Sequence, residues 1–326
     1  MRFLSRLLMA VLVIAVIAAG AVLWFTQAVQ SRGPLTAPVT VVIPPGSGLA
    51  AISHQLADAR VIDAAWMFEL EARRSKQSRT LKPGEYRFDP AISLTETLSK
   101  VVRHDVVIRF VTVPEGLVTA EALRIVGAAE GLQGDTPDVE GEGQLLPETY
   151  RYEWGDLRSA MIGRMRAARN TMLNDLWTSR AQDLPLATPE EAMVLASIVE
   201  KETALPAERP HIAAVFLNRL RRGMRLQSDP TVIFGIGQEG HGYELTRADL
   251  ERATPFNTYI IAGLPPTPIC NPGRAAVEAV LHPADSTDLY FVANGEGGHT
   301  FAATLDEHNR NVARWRQQDQ KNIDAE

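Results

Sequence analysis

One uncharged apolar run near the N-terminus constrains this chain more than any other feature. Leu7–Phe25 (LLMAVLVIAVIAAGAVLWF) contains no charged side chain. At about 1.5 Å per helical residue, this length matches the roughly 30 Å hydrocarbon core of a bilayer. The sequence therefore predicts one membrane-spanning helix, with residues 1–26 forming a cytoplasmic N-terminus and a transmembrane anchor.

Charges around the run indicate its orientation. Arg2 and Arg6 precede it, whereas Thr26–Ser31 carries no charge, so the positive-inside tendency places the N-terminus in the cytoplasm. A cleaved secretory signal is the alternative, but its apolar core usually has about 7–15 residues and ends at small side chains. This run is longer and ends in Leu23-Trp24-Phe25, which favours an uncleaved anchor. Both interpretations export the rest of the chain.

Composition argues against several classes of function. The 326 residues carry a formal net charge of -6, which disfavours electrostatic binding to nucleic acid. The sequence has neither a P-loop nor a paired-cysteine zinc pattern. Its one cysteine, Cys270, cannot form an internal disulfide, so an exported fold must depend on its hydrophobic core. We expect no nucleic-acid partner, no metal and no cofactor.

The exported part divides into a linker and two predicted units. Polar residues with Pro and Gly over 27–38 predict a short linker. Strand and helix patterns alternate over 39–104 and predict a small α+β subdomain, whereas 105–326 is mostly helical after one strand. The expected fold class is α+β: a single N-terminal transmembrane helix, the small subdomain, and a larger mixed α/β domain with a helical core.

The individual elements follow from apolar periodicity and turn residues. Strands are predicted at Val39–Ile43, within Leu81–Phe88 and at Val106–Val113. Helices are predicted at Leu49–Leu56, Ala64–Arg73, Leu94–Val102, Thr119–Ala129, Leu157–Arg180, Pro189–Glu202 and Pro210–Arg222. The acidic, Gly-rich stretch Glu130–Gln144 is expected to be a solvated loop rather than a metal site.

The helix at Pro189–Glu202 has a well-defined start, with Thr188 as N-cap and Glu191 at the capping-box position. This register places two acids on opposite faces. Glu202 lies in an apolar face, and would be unusual because it is buried. Glu200 lies on a face of small residues, which could admit a ligand. A solvated or ion-paired acid is the common alternative for both, so periodicity leaves the choice open.

Polar and aromatic side chains gather at turns further along the chain. Gln227 and Asp229 occur in one such turn, and Asn257 and Tyr259 in another. Amide groups donate and accept hydrogen bonds, and a tyrosine ring combines a flat apolar face with a polar tip, which suits a sugar-binding cleft. Asp and Asn are also common turn formers, so these residues alone do not define a site.

Several motifs, in this order, resemble the MltG (YceG-like) endolytic murein transglycosylase family. They are Val194–Thr203 (VLASIVEKET), Val215–Leu220 (VFLNRL), Gly223–Thr231 (GMRLQSDPT), Asn257–Tyr259 (NTY), Gly263–Pro266 (GLPP), Tyr290–Ala293 (YFVA) and Gly297–Phe301 (GGHTF). The resemblance covers nearly the whole chain, and Leu81–Arg87 (LKPGEYR) makes residues 39–104 a LysM-like subdomain within it. Residues 105–326 correspond to the YceG-like catalytic domain.

The resemblance implies an enzyme that cuts peptidoglycan glycan strands. Members of the family cleave the β-1,4 bond between N-acetylmuramic acid and N-acetylglucosamine and leave 1,6-anhydromuramic ends. The expected partners are nascent glycan strands and peptidoglycan synthases (penicillin-binding proteins), and the expected effect is termination of glycan elongation. The expected location is the bacterial inner membrane, single-pass, with the N-terminus cytoplasmic and the catalytic domain periplasmic.

The resemblance also implies roles for individual residues. Glu200 aligns with the first glutamate of the family's SIVEKE motif and is expected to be the catalytic acid and base, with Glu202 as its supporting neighbour. The expected substrate-binding residues are Glu202, Gln227, Asp229, Asn257 and Tyr259.

Two other functions are compatible with parts of the sequence. A non-catalytic envelope scaffold would bind glycan without cutting it. A hydrolytic muramidase would need a second carboxylate to activate water, and Asp229 is the first candidate. The SIVEKE and QSDPT segments favour catalysis over a scaffold.

Overall fold

The computed structural model describes residues 2–238 and 243–323. Met1 and residues 239–242 and 324–326, which fall within the predicted domains, lie outside the described residues. The helices are α1 (Arg2–Gln30), α2 (Leu49–Asp58), α3 (Ala65–Arg74), α4 (Leu94–Arg103), α5 (Thr119–Ala128), α6 (Arg158–Thr178), α7 (Pro189–Glu202), α8 (Arg209–Arg221), α9 (Asp229–Gly235), α10 (Arg247–Leu250), α11 (Arg274–Leu281) and α12 (Leu305–Ile323).

Six strands complete the described elements and form three two-stranded sheets, β1 with β2, β3 with β4, and β5 with β6. The strands are β1 (Val39–Ile43), β2 (Gly84–Phe88), β3 (Ile108–Thr112), β4 (Thr149–Glu153), β5 (Tyr290–Ala293) and β6 (His299–Ala302). Helices interleaved with small sheets confirm the predicted α+β class with an N-terminal apolar helix.

The chain forms two compact units, the first containing the residues up to Phe110 together with 130–133 and 151–156, and the second containing the remainder. In the first unit, β1 and β2 run antiparallel, from Val39 opposite Phe88 to Ile43 opposite Gly84. Alternate side chains of this two-stranded sheet point into a core that α2, α3 and α4 cover. Phe68, Tyr86 and Phe88 are fully buried there.

Helix α1 combines a membrane-length apolar segment with a packed end. Phe3–Gln30 has 28 residues, and its most apolar 18-residue stretch has a mean hydropathy of 2.8, so the helix is long and apolar enough to cross a membrane. Its last turns join the core of the first unit, since Phe25 is 8% and Val29 1% exposed. The carbonyl of Val29 also accepts a hydrogen bond from Thr95 Oγ1 at 3.0 Å. The start of the predicted linker at 27–38 is therefore helical and packed.

Helix α7 lies at the centre of the second unit. Every residue from Ala192 to Val199 is buried, because α8 and α11 pack on the helix along with α6. A helix apolar on most of its circumference is stable only when it is surrounded in this way. The β5–β6 hairpin packs beside α8, where the Phe291 ring meets Phe216 edge to face at 5.7 Å.

The predicted bounds of α7 agree with the structure. Thr188 Oγ1 accepts a hydrogen bond from the Glu191 N–H at 3.2 Å, and Pro189 begins the helix. The Glu191 carboxylate accepts from the N–H of Ala187 at 2.6 Å, one residue before the expected capping-box partner. At the other end Thr203 is extended, so the chain leaves the helix directly after Glu202.

Candidate active site

Glu202 occupies the last position of α7, where its carboxylate accepts a short hydrogen bond from Ser228 Oγ. Burial is the largest cause that raises the pKa of Glu202 to about 7. The negative charge of Asp229 raises it further, whereas the Ser228 hydrogen bond and the positive charge of Arg219 act in the opposite direction. With this pKa, part of the Glu202 population is protonated near neutral pH, which is the condition for a general acid at that pH.

Two buried threonine side chains fix the position of Ser228. The N–H of Ser228 donates to Thr258 Oγ1 at 2.9 Å, and Thr231 Oγ1 donates to the Ser228 carbonyl at 2.6 Å. The two threonine hydroxyls also bond to each other at 2.8 Å. Ser228 stands at the N-cap position of α9 but makes no side-chain cap bond. Its hydroxyl is directed to Glu202 instead.

Gln227, Asp229 and Tyr259 lie around this carboxyl. Tyr259 Oη donates to Asp229 Oδ1 at 2.6 Å, and burial followed by this hydrogen bond raises the pKa of Tyr259. The Gln227 N–H donates to the Thr258 carbonyl at 3.1 Å. Gln227 and Asp229 are exposed, so their polar groups can reach a ligand. Asp229 and Tyr259 thus interact electrostatically with Glu202, and Gln227 lies next to its hydrogen-bond partner Ser228.

Gln227 adopts a backbone conformation that is rare outside glycine, with φ of 52°. Strain of this kind persists only where the surroundings impose it, and it is concentrated at functional sites. The neighbouring hydrogen bonds of Ser228 and Thr258 impose it here.

Asn257 has a different position from the other predicted substrate-binding residues. It is fully buried, and its Nδ2 donates to the carbonyls of Leu250 at 3.0 Å and Arg252 at 2.8 Å. Its Oδ1 accepts from the Tyr259 N–H at 2.9 Å. Because these bonds occupy both ends of the amide, Asn257 shapes the turn that presents Tyr259 and does not offer its amide to solvent.

Arg219 is a buried cation behind the site. Its Nε donates to the Leu289 carbonyl and its Nη1 to the Leu226 carbonyl, both at 2.6 Å. The guanidinium also lies over the Tyr290 ring, 5.3 Å from the centroid. Arg219 thus links the turn that carries Gln227 to β5. Sequence reasoning did not single out Arg219 or Ser228, although both lie inside the quoted motifs.

Glu200 lies on the opposite face of α7 and forms a buried ion pair. Its carboxylate accepts from Arg209 Nη2 at 2.9 Å and from the Gly273 N–H at 2.8 Å, and its side chain is 5% exposed. Burial is the largest cause raising the pKa of Glu200, while the Gly273 N–H and Arg209 lower it. Arg209 also lies 3.5 Å from the Glu115 carboxylate. These contacts join α7, α8 and the turn before α11.

The small-residue face beside Glu200 is filled by the chain itself. Ser197 Oγ accepts from the Ile269 N–H at 3.0 Å, and Cys270 Sγ lies 3.4 Å from the Ser197 carbonyl. The segment that ends at Gly273 therefore occupies the space where a ligand was expected. The two acids lie on opposite faces, as the helical wheel predicts, and the turn that carries Gln227, Ser228 and Asp229 meets Glu202 and not Glu200.

A histidine and a glutamate contact each other beside Thr203, the residue that follows α7. His299 Nδ1 lies 2.7 Å from Glu208 Oε2, and the His299 N–H donates to Glu208 Oε1 at 2.8 Å. Thr203 Oγ1 donates to the same carboxylate at 3.3 Å. His299 is a structural partner in this arrangement. Across residues 2–238 and 243–323, no group of three or more His, Cys, Asp or Glu side chains is placed to hold a metal.

Comparison with known proteins identifies the family of the chain. The sequence profile of the YceG-like family matches residues 41–314. This chain belongs to the YceG-like family. The crystal structure of a YceG-like protein from Listeria monocytogenes superposes with a TM-score of 0.53 at 30% identity, covering 84% of this chain and 98% of that one. The family membership inferred from the motifs is confirmed.

Two curated relatives are named endolytic murein transglycosylase. The protein from Streptococcus pneumoniae strain D39 is 28% identical over 351 residues, covering 92% of this chain and 63% of that protein. The protein from Bacillus subtilis strain 168 is 37% identical over 174 residues, covering 52% of this chain and 46% of that protein. This YceG-like chain therefore matches less than two thirds of the length of each relative.

Proposed function

We propose that this YceG-like chain is a membrane-anchored endolytic lytic transglycosylase. It would cleave the β-1,4 bond between N-acetylmuramic acid and N-acetylglucosamine in nascent glycan strands and leave 1,6-anhydromuramic ends. One observation carries the proposal: a glutamate whose pKa is raised to about 7 lies beside an exposed amide, an exposed carboxylate and a tyrosine. The names of the two curated relatives support the same activity.

The proposed mechanism needs one carboxyl group. Most glycosidases use two, one as acid and the other as nucleophile or as base for water. In a lytic transglycosylase the C6 hydroxyl of the muramic acid attacks its own anomeric carbon, so water is not a reactant. Protonated Glu202 donates its proton to the glycosidic oxygen as the bond from C1 to that oxygen breaks. The Glu202 carboxylate then accepts the C6 hydroxyl proton as the C6 oxygen bonds to C1, which restores the acid.

Neighbouring groups assist each half of this cycle. The Ser228 hydroxyl stabilises the carboxylate formed in the first half, since a hydrogen bond to the charged form lowers its free energy. The carboxylate of Asp229, oriented by Tyr259, favours positive charge at the anomeric carbon in the transition state. Gln227 is assigned to the acetamido sugars, and Asn257 to the positioning of Tyr259.

We assign the acid to Glu202 in preference to Glu200, which the motif resemblance implies. Glu200 is engaged by Arg209 and the Gly273 N–H, whereas Glu202 adjoins the exposed polar groups. The two glutamates provide matched variants on one helix. Glu202→Gln should abolish anhydro products, whereas Glu200→Gln should retain the chemistry with lower stability. An active Glu202→Gln protein together with an inactive but folded Glu200→Gln protein would return the role to Glu200.

Mass spectrometry of digested glycan strands also separates the alternatives. Anhydro ends identify a lytic transglycosylase, reducing ends a hydrolytic muramidase, and absence of cleavage a glycan-binding scaffold. If reducing ends appear, Asp229 becomes the candidate base for water, and Asp229→Asn should then abolish cleavage.

The membrane location is part of the same proposal. Residues 1–26 would anchor the chain in the inner membrane, with the N-terminus cytoplasmic and both units periplasmic, which the apolar run Leu7–Phe25 within α1 and the arginines before that run support. Residues 39–104 would form the LysM-like subdomain. A site held near the membrane would meet strands leaving peptidoglycan synthases, the proposed protein partners.

A further inference from the structure

The first unit has an exposed apolar groove where α1 enters it. The groove has a volume of about 410 Å³ and is lined by five residues of α1 between Ala21 and Thr26, all but Leu23, and by Trp66, Leu70 and Arg74 of α3. Trp24 is 59%, Trp66 54% and Leu70 46% exposed. The rings of Phe25 and Trp66 lie 6.3 Å apart. The α3 surface is therefore continuous with the apolar surface of α1.

The length of α1 indicates the level in the bilayer at which the groove would lie. From Leu7, the first residue after Arg6, to Trp24 the helix spans about 27 Å at 1.5 Å per residue, close to the roughly 30 Å of a hydrocarbon core. Trp24 then lies at the outer boundary of that core, the level at which tryptophan is enriched in membrane proteins. Because the Trp66 ring lies beside Phe25, α3 reaches the same level.

Helix α3 has the pattern of an interfacial helix. Phe68 and Ala72 face the core and are fully buried, whereas Trp66 and Leu70, one turn apart, are exposed. Arg73 and Arg74 follow with side chains 66% and 55% exposed, although each pairs within the helix, Arg73 with Glu69 at 3.0 Å and Arg74 with Glu71 at 2.7 Å. Exposed apolar residues beside arginines are typical of helices that lie among lipid headgroups.

We propose that the exposed face of α3 is a lipid-binding surface embedded in the outer headgroup region of the bilayer. Trp66 and Leu70 contact the upper acyl chains, and the two arginines lie at the level of the phosphates. The inference rests on the proposed anchoring by α1. Two contacts, one spanning and one lying on the membrane, fix the orientation of the first unit, which a single flexible tether would leave free.

Site-directed spin labelling of the full chain tests this surface. Each variant carries Cys270→Ala and one new cysteine: Leu70→Cys on the groove, Thr40→Cys on the exposed side of β1 as control, and Val13→Cys in the middle of α1. The proteins are reconstituted in phosphatidylethanolamine and phosphatidylglycerol vesicles. Collision with oxygen, which enters lipid, and with a water-soluble nickel chelate is then measured by power saturation. We expect a higher oxygen-to-nickel ratio at Leu70 than at Thr40.

The three labels make each outcome decisive. If Val13 is deep but the ratio at Leu70 equals that at Thr40, the lipid-binding surface is wrong while the anchor stands. If Val13 is accessible to nickel, the proposed anchoring itself fails. If Leu70 is shielded from both reagents and regains access at low protein-to-lipid ratio, a second copy covers the groove and the inference is overturned.

A second measurement avoids any change at Leu70. Brominated lipids quench indole fluorescence only at membrane depth, so the wild-type chain should show more quenching than Trp66→Phe. Equal quenching in the two proteins would contradict the inference. The Trp66→Phe change keeps a ring in the groove, and its thermal midpoint serves as the control for folding.

Discussion

At the scale of single residues, the neighbours of Glu202 act on its pKa in opposite directions. The Asp229 charge raises the pKa and the Ser228 hydrogen bond lowers it. Asp229→Asn should therefore move the basic limb of the kcat/KM profile to lower pH, because the acid loses its proton sooner. Ser228→Ala should move the limb to higher pH. The profile is measured as anhydro product formed from isolated strands between about pH 5 and 9, a range that spans the Glu202 pKa.

The opposite pH shifts expected for Asp229→Asn and Ser228→Ala serve as an internal control. General disturbance of the turn would lower the rate in both variants, but it would not shift the basic limbs of their kcat/KM profiles in opposite directions. If the basic limbs of both variants coincide with that of the wild type, Glu202 is not the group whose titration the profile reports.

The same pKa predicts how stability depends on pH. Glu202 has a pKa of about 7 when folded against 4.5 ordinarily, so the folded state binds the proton more tightly between these values. Its contribution to stability is fully present below about pH 4.5 and is lost as pH rises through about 7. Denaturant midpoints of the wild type relative to Glu202→Gln should therefore fall over this range. A difference that stays constant with pH would contradict the burial of this carboxyl.

Asn257 should matter for folding more than for sugar contact. Asn257→Ala leaves the carbonyls of Leu250 and Arg252 and the N–H of Tyr259 without their partner, at a cost of about 1–3 kcal/mol. The thermal midpoint should fall. Tyr259→Phe, which removes only the hydroxyl bonded to Asp229, should instead keep the midpoint and lower kcat/KM. The opposite result would give Asn257 the direct role in substrate binding.

The choice between the two glutamates shows the limit of sequence reasoning at this scale. The helical wheel placed Glu200 and Glu202 on opposite faces, because caps and periodicity are local. Their partners are distant in sequence: Ser228 is 26 positions from Glu202, and Gly273 is 73 positions from Glu200. Tertiary packing therefore decides which of these two faces of α7 other segments cover, and a single sequence does not reveal that packing.

At the scale of elements, local signals predicted the bounds well where they were strong. The bounds of β1 and α7 agree with the structure at both ends, because alternation and the Thr188 cap are properties of the segment itself. Strands β4 to β6 and helices α9 to α12 were not predicted. These elements are short, or their apolar pattern is complete only when a distant segment packs on them.

The Thr188 cap offers a test at this scale that does not touch the site. Thr188→Ala removes the acceptor for the Glu191 N–H and should cost about 1 kcal/mol. Thr188→Ser, which keeps the hydroxyl, is the matched control. Thermal unfolding should show the loss only in the alanine variant, with kcat unchanged in both. Equal midpoints would mean that α7 is held by its burial alone.

At the scale of the whole molecule, one continuous helix, α1, contains both the apolar segment proposed as the anchor and side chains of the first unit's core. The sequence predicted a linker at 27–38 because of its polar residues, Pro and Gly. Phe25, Val29 and Leu35 pack into the core of the first unit instead. The apolar side chains among those polar residues are too sparse to indicate packing without knowledge of the surface that receives them.

This continuity predicts different results for two truncations that both remove the membrane-spanning run. A chain that begins at Ala21 keeps Phe25 and Val29, whereas one that begins at Thr36 loses both together with Leu35. Since each buried side chain contributes about 1.5–3 kcal/mol, the shorter chain should unfold at a clearly lower temperature. The longer one should stay folded and form anhydro products from isolated strands.

In cells, the same Ala21 chain tests what the membrane contributes. Exported by a cleavable signal, it keeps the site but no longer holds it at the bilayer. If α1 selects nascent strands by position, pulse-labelled glycan in these cells should become longer, while older wall material is cut more often. The full-length Glu202→Gln chain controls for loss of cleavage alone, since it should lengthen new strands without increasing cuts in old ones. Unchanged strand lengths with the Ala21 chain would reduce α1 to a tether with no part in substrate choice.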